Sequence, residues 1–553
     1  MRTTSRLVQV AAVVLACLLF FGMGMLAGGS GRQLKSQVAN LAGLVQKRIS
    51  ILLKGEEKFI HDELEGNYRR QDKPSPRVVR TLDTSRLPLR LEVVPLANEP
   101  QFAAGEDLIR GSLAVVEKSI FAMDKLGNIF RVENKALRRM NYGVFPSGIE
   151  KYIISTPTAL PRTAIRTLYL AYNRARHTLL VSQQKYIPES GHVRFNISAL
   201  TIDGNTAEKR GEWRTIFETE DIPDSSSFRG ATGGRLVVAG NVLYFTIGDY
   251  NFGQVPQDES ALVAQNPRSS FGKIYEHNLV TGMTRVKSSG HRNPQGLVFT
   301  KSGKLIDAEH GPEGGDELNV IKDGGNYGWP YKTYGTDYGT FNWPLKLKPQ
   351  GVDFSEPLYA WVPSAAISPV IEVTDFNEAW DSDLLVGSLK AQTLFRLKVT
   401  NDRVIFSEPI WIGHRIRDIA QVGHQIVLMT DDPALVFIDI DQPRLKSNSK
   451  MQKHVEFIPA LAACLQCHHF GETNPSHLAP TLANVVGKRI ASDSFERYSD
   501  ALKKKGGTWD EASLTKFIRN PNEFAAGSAM PNLGLSQQQV IDVVTALGER
   551  KQK

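Results

Sequence analysis

The sequence predicts a mainly β chain built as a β-propeller, followed by a small all-α domain and preceded by an N-terminal transmembrane helix. Three observations predict this. Short β-type apolar runs recur through residues 88–441, the hydrophobic period turns helical after about residue 457, and residues 7–27 form an uncharged apolar run.

The 553 residues suffice for more than one domain with a buried core. The 46 Gly and 28 Pro favour turn-rich architecture. The 66 Lys+Arg and 58 Asp+Glu leave a net charge of +8, scattered and without a basic run interleaved with aromatics, so nucleic-acid binding is not expected. Only Cys17, Cys464 and Cys467 are present, which excludes a disulfide framework.

Residues 7–27 (LVQVAAVVLACLLFFGMGMLA) approach the roughly 20 apolar residues that cross a bilayer. Arg2 and Arg6 precede them, so the positive-inside rule keeps the N-terminus in the cytoplasm and exports the rest. Residues 1–28 are therefore expected to be a single-pass anchor in the inner membrane, with the bulk of the chain in the periplasm. A cleaved signal peptide is the alternative, although the run is long and ends in MGMLAGGSG without a clear small-residue cleavage site. Lipidation at Cys17 is a third reading, weakened by the apolar residues that continue past it. In residues 29–87, Leu34, Val38, Leu41, Leu44, Val45, Ile49 and Leu52 recur at helical spacing, and a charged stretch ending in prolines follows. This reads as a helical stalk; a helix packed on the body of the protein is the alternative.

From residue 88 to 441 the pattern is β. Segments 235–249, 294–311, 382–399 and 417–433 each join β-type runs through a turn containing Gly, Asn or Asp. Loose repetition of such hairpins suggests small antiparallel sheets arranged radially, with an array of sandwiches as runner-up. Residues 442–456 are polar and basic, as in a linker. Residues 457–553 follow helical spacing: Asp510-Glu511 open a segment with Leu514, Phe517 and Ile518 on one face, and Ser536 can cap a helix carrying Val540, Ile541, Val544 and Leu547.

Cys464-Leu465-Gln466-Cys467-His468 is a C-x-x-C-H motif. Two thiols at this spacing can add to the vinyl groups of one haem, and the adjacent His468 can ligate its iron. The thioether of Met530, between small residues and a proline just before the last helix, is the expected distal ligand; His469 and His477 compete for that role. With CLQCHH, segments 478–489, 495–521 and GSAMPNLGLS (527–536) make this region resemble class I cytochromes c. The resemblance implies His468/Met530 ligation of one covalent haem c and one-electron transfer.

Segments GHRNPQGLVF (290–299), EHGPEGGDELNVIKDGGNYGWP (309–330), GSLKAQTLFRLK (387–398) and HRIRD (414–418) resemble the soluble PQQ-dependent glucose and aldose sugar dehydrogenases, which are six-bladed propellers. The resemblance implies PQQ and Ca2+ as cofactors. Lys390, Arg415 and Arg417 match the family's cationic PQQ contacts. Arg292 and Asn293 match residues near the quinone oxygens, which makes Arg292 the candidate for a catalytic part. Gly311 and Pro312 match positions whose carbonyls hold the Ca2+, an ion that favours oxygen ligands.

One departure stands out. The family's general base, a His before G-R-L, corresponds to Ala231, which cannot accept a proton. The expectation is a membrane-anchored quinohaemoprotein that oxidises a sugar or related alcohol and passes electrons through haem c to a respiratory acceptor. The alternative is a non-catalytic propeller that docks partners on a tethered electron-transfer cytochrome. A third reading replaces the missing base by His291 or His414.

Overall fold

The computed structural model describes residues 45, 47–51, 53–60, 77–96, 111–155, 165–222, 230–251, 262–336, 351–431, 434–445, 464, 468, 479–493, 495 and 498–549. The apolar run at 7–27, Cys17, Cys467, His469, His477 and most of the expected linker lie outside these. Among the described residues no helix is long and apolar enough to cross a membrane.

Among the described residues six sheets form a ring, here blades one to six in chain order, all antiparallel except for the short parallel pairing of Ser288 and Ser289 with Gly325 and Asn326 in blade three. Their innermost strands are Ser112–Val116, Arg166–Asn173, Gly233–Ala239, Pro294–Phe299, Ile367–Glu372 and Ile416–Val422. Each is packed beside the next, and the sixth returns to the first. Blade six is completed from the other end of the chain. Pro88–Pro95 pairs with Ala434–Ile440, and Val78–Asp83 pairs with Pro88–Pro95 as the outermost strand. The propeller therefore begins near Val78, not at residue 88. The sequence hid this because an outermost strand such as VVRTLD is largely exposed and lacks an apolar face.

The expected stalk is also corrected in part. Phe59 is 5% exposed and packs with Tyr152, Ile165 and Phe195, and Lys47 Nζ donates to the Ile153 carbonyl at 3.0 Å. The described residues Lys47 and Phe59 thus lie against the propeller body, as in the alternative reading.

Apolar side chains fill the seams between neighbouring blades. Phe195 of blade two stacks on Phe245 of blade three at 6.3 Å, and Leu113 and Phe130 of blade one meet Val427 and Leu435 of blade six. Alternation along a strand sends every second residue into a seam.

In the C-terminal region, Asp510 and Ser513 form a reciprocal capping box that starts helix Glu511–Arg519. Its Leu514, Phe517 and Ile518 pack with Val540, Val543, Val544 and Leu547 of helix Gln537–Glu549, with Trp509 and with Cys464. Ile541, expected on the buried face, is 45% exposed, and Val543 takes that place one turn before Leu547.

Candidate functional site

In such a ring the innermost strands run the same way, so their entry ends and the turns between second and third strands open on one face. Hydrogen bonds across blades tie those ends together. Arg292 and Asn293 enter the innermost strand of blade four, and Ala231 precedes that of blade three. The Asp249 N–H donates to the Arg292 carbonyl at 2.8 Å, and the Tyr250 N–H to the Ala231 carbonyl at 3.0 Å. Asn293 Oδ1 accepts from the Gly233 N–H at 3.1 Å and from Gln295 Nε2 at 3.3 Å. Gln295 Oε1 in turn accepts from Arg417 Nη1 at 3.1 Å, linking blades three, four and six.

Arg292 is 6% exposed. Its Nη1 donates to the carbonyls of His310 at 3.1 Å and Gly311 at 2.7 Å, and the guanidinium lies 5.5 Å from the Trp329 ring. The structure thus joins two expected site residues, Arg292 and Gly311, directly. Gly311 is held from behind: its N–H donates to Asp316 Oδ1 at 3.0 Å, and Asp316 Oδ2 accepts from Ser364 Oγ at 2.7 Å and the Ala366 N–H at 2.5 Å. Burial pushes the Asp316 carboxyl above its ordinary range, against the pull of these donors. A Cβ on Gly311 would sit 2.3 Å from the carbonyl oxygens of Gly314 and Gly315. The Gly311–Pro312 turn is therefore crowded with backbone oxygens, a donor set that suits Ca2+.

Arg417 and Arg415 share Asp431. Arg417 meets it through Nε at 2.7 Å and Nη2 at 2.8 Å, and Arg415 through Nε at 3.1 Å. Burial disfavours the Arg417 charge, but the Asp431 charge and hydrogen bonds outweigh it and raise its pKa above the usual arginine value. Arg415 is 40% exposed, and among the described residues its terminal nitrogens make no hydrogen bond, so they are available to an anion. Lys390 lies in the turn after Leu384–Ser388 and approaches Glu313, beside Pro312, at 3.6 Å with 60% of its side chain exposed.

Ala231 is 6% exposed with φ of 44°. The expected base position is a sealed methyl group. His291 does not replace it: fully buried, it is bonded to Ser288 Oγ through Nε2 and to Glu309 Oε2 through Nδ1, both at 2.8 Å, with no open side for a substrate. His414 is half-buried at the entry to blade six.

At the C-terminal motif, the His468 N–H donates to the Cys464 carbonyl at 2.9 Å, which ties these two residues together. His468 Nδ1 lies 2.8 Å from the Pro480 carbonyl. A carbonyl only accepts, so Nδ1 carries the proton and Nε2 keeps a lone pair for a metal. Burial lowers the His468 pKa, which favours that neutral form. Met530 packs on the apolar cluster that contains Cys464.

Asp316, Asp431, Gln295 and Asp249 were missed by sequence reading. Asp316 opens strand Asp316–Val320 in GGDE and Asp431 follows strand Gln425–Thr430 in TDDP, segments that read as ordinary turns. Asp249 is fully buried and accepts from Trp329 Nε1 at 2.6 Å.

These features define a six-bladed propeller with cationic and oxygen-donor groups gathered on one face, joined in sequence to a helical region with a C-x-x-C-H turn. The family described as Glucose / Sorbosone dehydrogenase matches residues 163–436, which lie within the propeller region. The chain is 32% identical over 218 residues to the aldose sugar dehydrogenase YliI of Escherichia coli, covering 38% of this chain and 58% of the relative. It is 37% identical over 120 residues to quinoprotein glucose dehydrogenase B of Acinetobacter calcoaceticus, covering 18% and 25% of the two. A cytochrome c homolog of Rickettsia typhi is 39% identical over 85 residues, 15% of this chain and 49% of the relative. The chain thus spans less than two thirds of the length of each of these relatives.

Proposed function

We propose that this protein is a membrane-anchored quinohaemoprotein that oxidises a sugar or related alcohol at C–OH and passes the electrons to a respiratory acceptor. The observation that carries this reading is the Arg292–Gly311 contact on the same face as Arg415 and Arg417. The relatives named as a quinoprotein and an aldose sugar dehydrogenase support it.

The residues present fit the implied groups. PQQ bears three carboxylates, and Arg415, Lys390 and Arg292 offer cations at one face, the first with unused donors. The oxygens of the Gly311–Pro312 turn would hold Ca2+. Cys464, Cys467, His468 and Met530 would hold haem. When bound, PQQ supplies a two-electron quinone acceptor and the haem a one-electron relay. Arg417, locked by Asp431, acts as a rigid wall behind Arg415. Arg292 sets its guanidinium against the Gly311 carbonyl, and Asn293 ties that entry to the loop carrying Ala231. The buried Ala231 moves no proton.

That last fact favours a second reading, a propeller that docks partners without turnover. One experiment separates the two: purify the full chain, supply Ca2+ and PQQ, and offer aldoses and polyols while following haem absorption. Haem reduction that requires both PQQ and substrate supports the enzyme. PQQ binding without reduction supports docking at a retained pocket, and no PQQ binding refutes the quinoprotein reading.

A further inference from the structure

Behind Arg292 lies a cluster that the proposed reaction does not use. His291, Asp307 and Glu309 are 0%, 0% and 6% exposed, and one ligand atom of each lies within 4.8 Å of the others. His291 Nδ1 is 2.8 Å from Glu309 Oε2 and 3.9 Å from Asp307 Oδ2. Tetrahedral ligands on bonds of roughly 2.0–2.2 Å stand about 3.4 Å apart, so these separations bracket what one small cation needs.

The independent sign is Asp307. Neither of its oxygens meets a donor at hydrogen-bonding geometry among the described residues, although the side chain is fully buried. An ionised carboxylate in that state is costly unless a cation or a proton joins it. Among the strand partners, Asp307 faces Asn319, whose amide eases the Asp307 charge only in part, and Glu309 faces a third carboxyl, Glu317. Without a metal, His291 Nδ1 can donate to Glu309 Oε2 at 2.8 Å; a metal would take the place of that proton, with Ser288 Oγ at 2.8 Å from Nε2 able to accept the remaining one.

We propose that His291, Asp307 and Glu309 bind one divalent transition-metal ion, with Zn2+ as the representative, inside blade four. One nitrogen and two carboxylate oxygens suit a borderline ion better than Ca2+, which takes oxygen ligands. Two carboxylates neutralise its charge. The ion would fasten the turn carrying Arg292 and Asn293 to the strand Leu305–Glu309 that leads into Gly311 and Pro312.

The test needs neither PQQ nor substrate, so its failure is separate from failure of the proposed dehydrogenase. The full chain is stripped with chelator, its free thiols are blocked with iodoacetamide, and Ca2+ is kept in excess to occupy the Gly311–Pro312 turn. Zn2+ binding is then measured by calorimetry and elemental analysis. The expected result is one equivalent bound by the wild type, with affinity about 100-fold lower or worse in Asp307→Asn and in His291→Asn. X-ray absorption at the zinc edge should show a nitrogen and oxygen shell without sulfur. Zn2+ should raise the melting temperature of the wild type and leave Asp307→Asn unchanged. The idea is overturned if the wild type binds no Zn2+, or if both variants, folded by circular dichroism, bind it as tightly as the wild type does. A metal-free Asp307→Asn that is more stable than the metal-free wild type, combined with no Zn2+ binding by either, would identify a proton-sharing cluster instead.

Discussion

Arg417 and Asp431 form a bidentate ion pair with side chains 3% and 6% exposed, while Arg415 touches the same carboxylate with 40% of its side chain open to water. One carboxylate therefore serves a structural and an accessible cation, and the two arginines should respond differently to removal. Arg417→Ala removes the buried bidentate partner of Asp431, leaving only the half-exposed Arg415, and should cost about 3 kcal/mol in urea unfolding. Arg415→Ala should leave stability within about 0.5 kcal/mol and weaken PQQ binding at least tenfold in a fluorescence titration. Equal stability losses in the two variants would contradict this division.

Asp316 acts on the Gly311 carbonyl through its N–H. Asp316→Ala removes the acceptor for Gly311, Ser364 and Ala366 together, so it should reduce Ca2+ affinity about 10–100-fold. Calorimetry on the folded variant checks this. Unchanged affinity would place the Ca2+ elsewhere.

Ala231→His tests whether the missing base is the only lost part. His is among the residue types more often found at positive φ, so the 44° at this position is compatible with the exchange. If the pocket is otherwise intact, PQQ-dependent turnover should rise about 100-fold or more. No gain, with PQQ still bound, would favour the docking reading.

Met530→Ala should lower the midpoint potential of the haem, because a thioether ligand favours reduced iron. The covalent haem should persist, since Cys464 and Cys467 are untouched. Redox titration followed by denaturing electrophoresis with haem staining reads both outcomes. An unchanged potential would exclude Met530 as the ligand.

Lys273 supplies a pH dependence. Burial lowers its pKa to about 8, although the carbonyls of Val263, Ala264 and Phe271 accept from its ammonium at 2.8, 2.9 and 2.9 Å. Between about pH 8 and the ordinary lysine value the unfolded chain holds a proton that the folded chain has released, so stability should rise with pH there. Compared with Lys273→Met, the wild type should gain stability from pH 8 to 10 and show a constant difference from pH 6 to 7.5. Urea unfolding at each pH measures it, and an opposite slope would contradict the assignment.

Much of the fold was legible because short apolar runs with turn residues report strands whose faces are buried in the seams, as in 235–249 and 417–433. The C-x-x-C-H motif was legible because its residues are contiguous in sequence, from Cys464 to His468. The limits came where contacts are distant. Val78–Asp83 carries no apolar face, so only ring closure reveals it as part of blade six. The exposed Ile541 and buried Val543 were decided by the helix against which they pack.

Local order along the chain was therefore sufficient to propose candidate cations, oxygen donors and thiols and to mark Ala231 as a position that cannot act as a base. Tertiary structure alone decided which charges are spent on each other: Arg417 is neutralised by Asp431, Gly311 is oriented by Asp316, and His291 is enclosed with two carboxylates rather than offered to a substrate. The physical reason is that a charge is governed by whatever lies within a few ångströms of it, and ring closure brings together residues distant in sequence, such as Arg235 and Asp418, 183 positions apart, whose guanidinium and carboxylate meet at 2.7 Å.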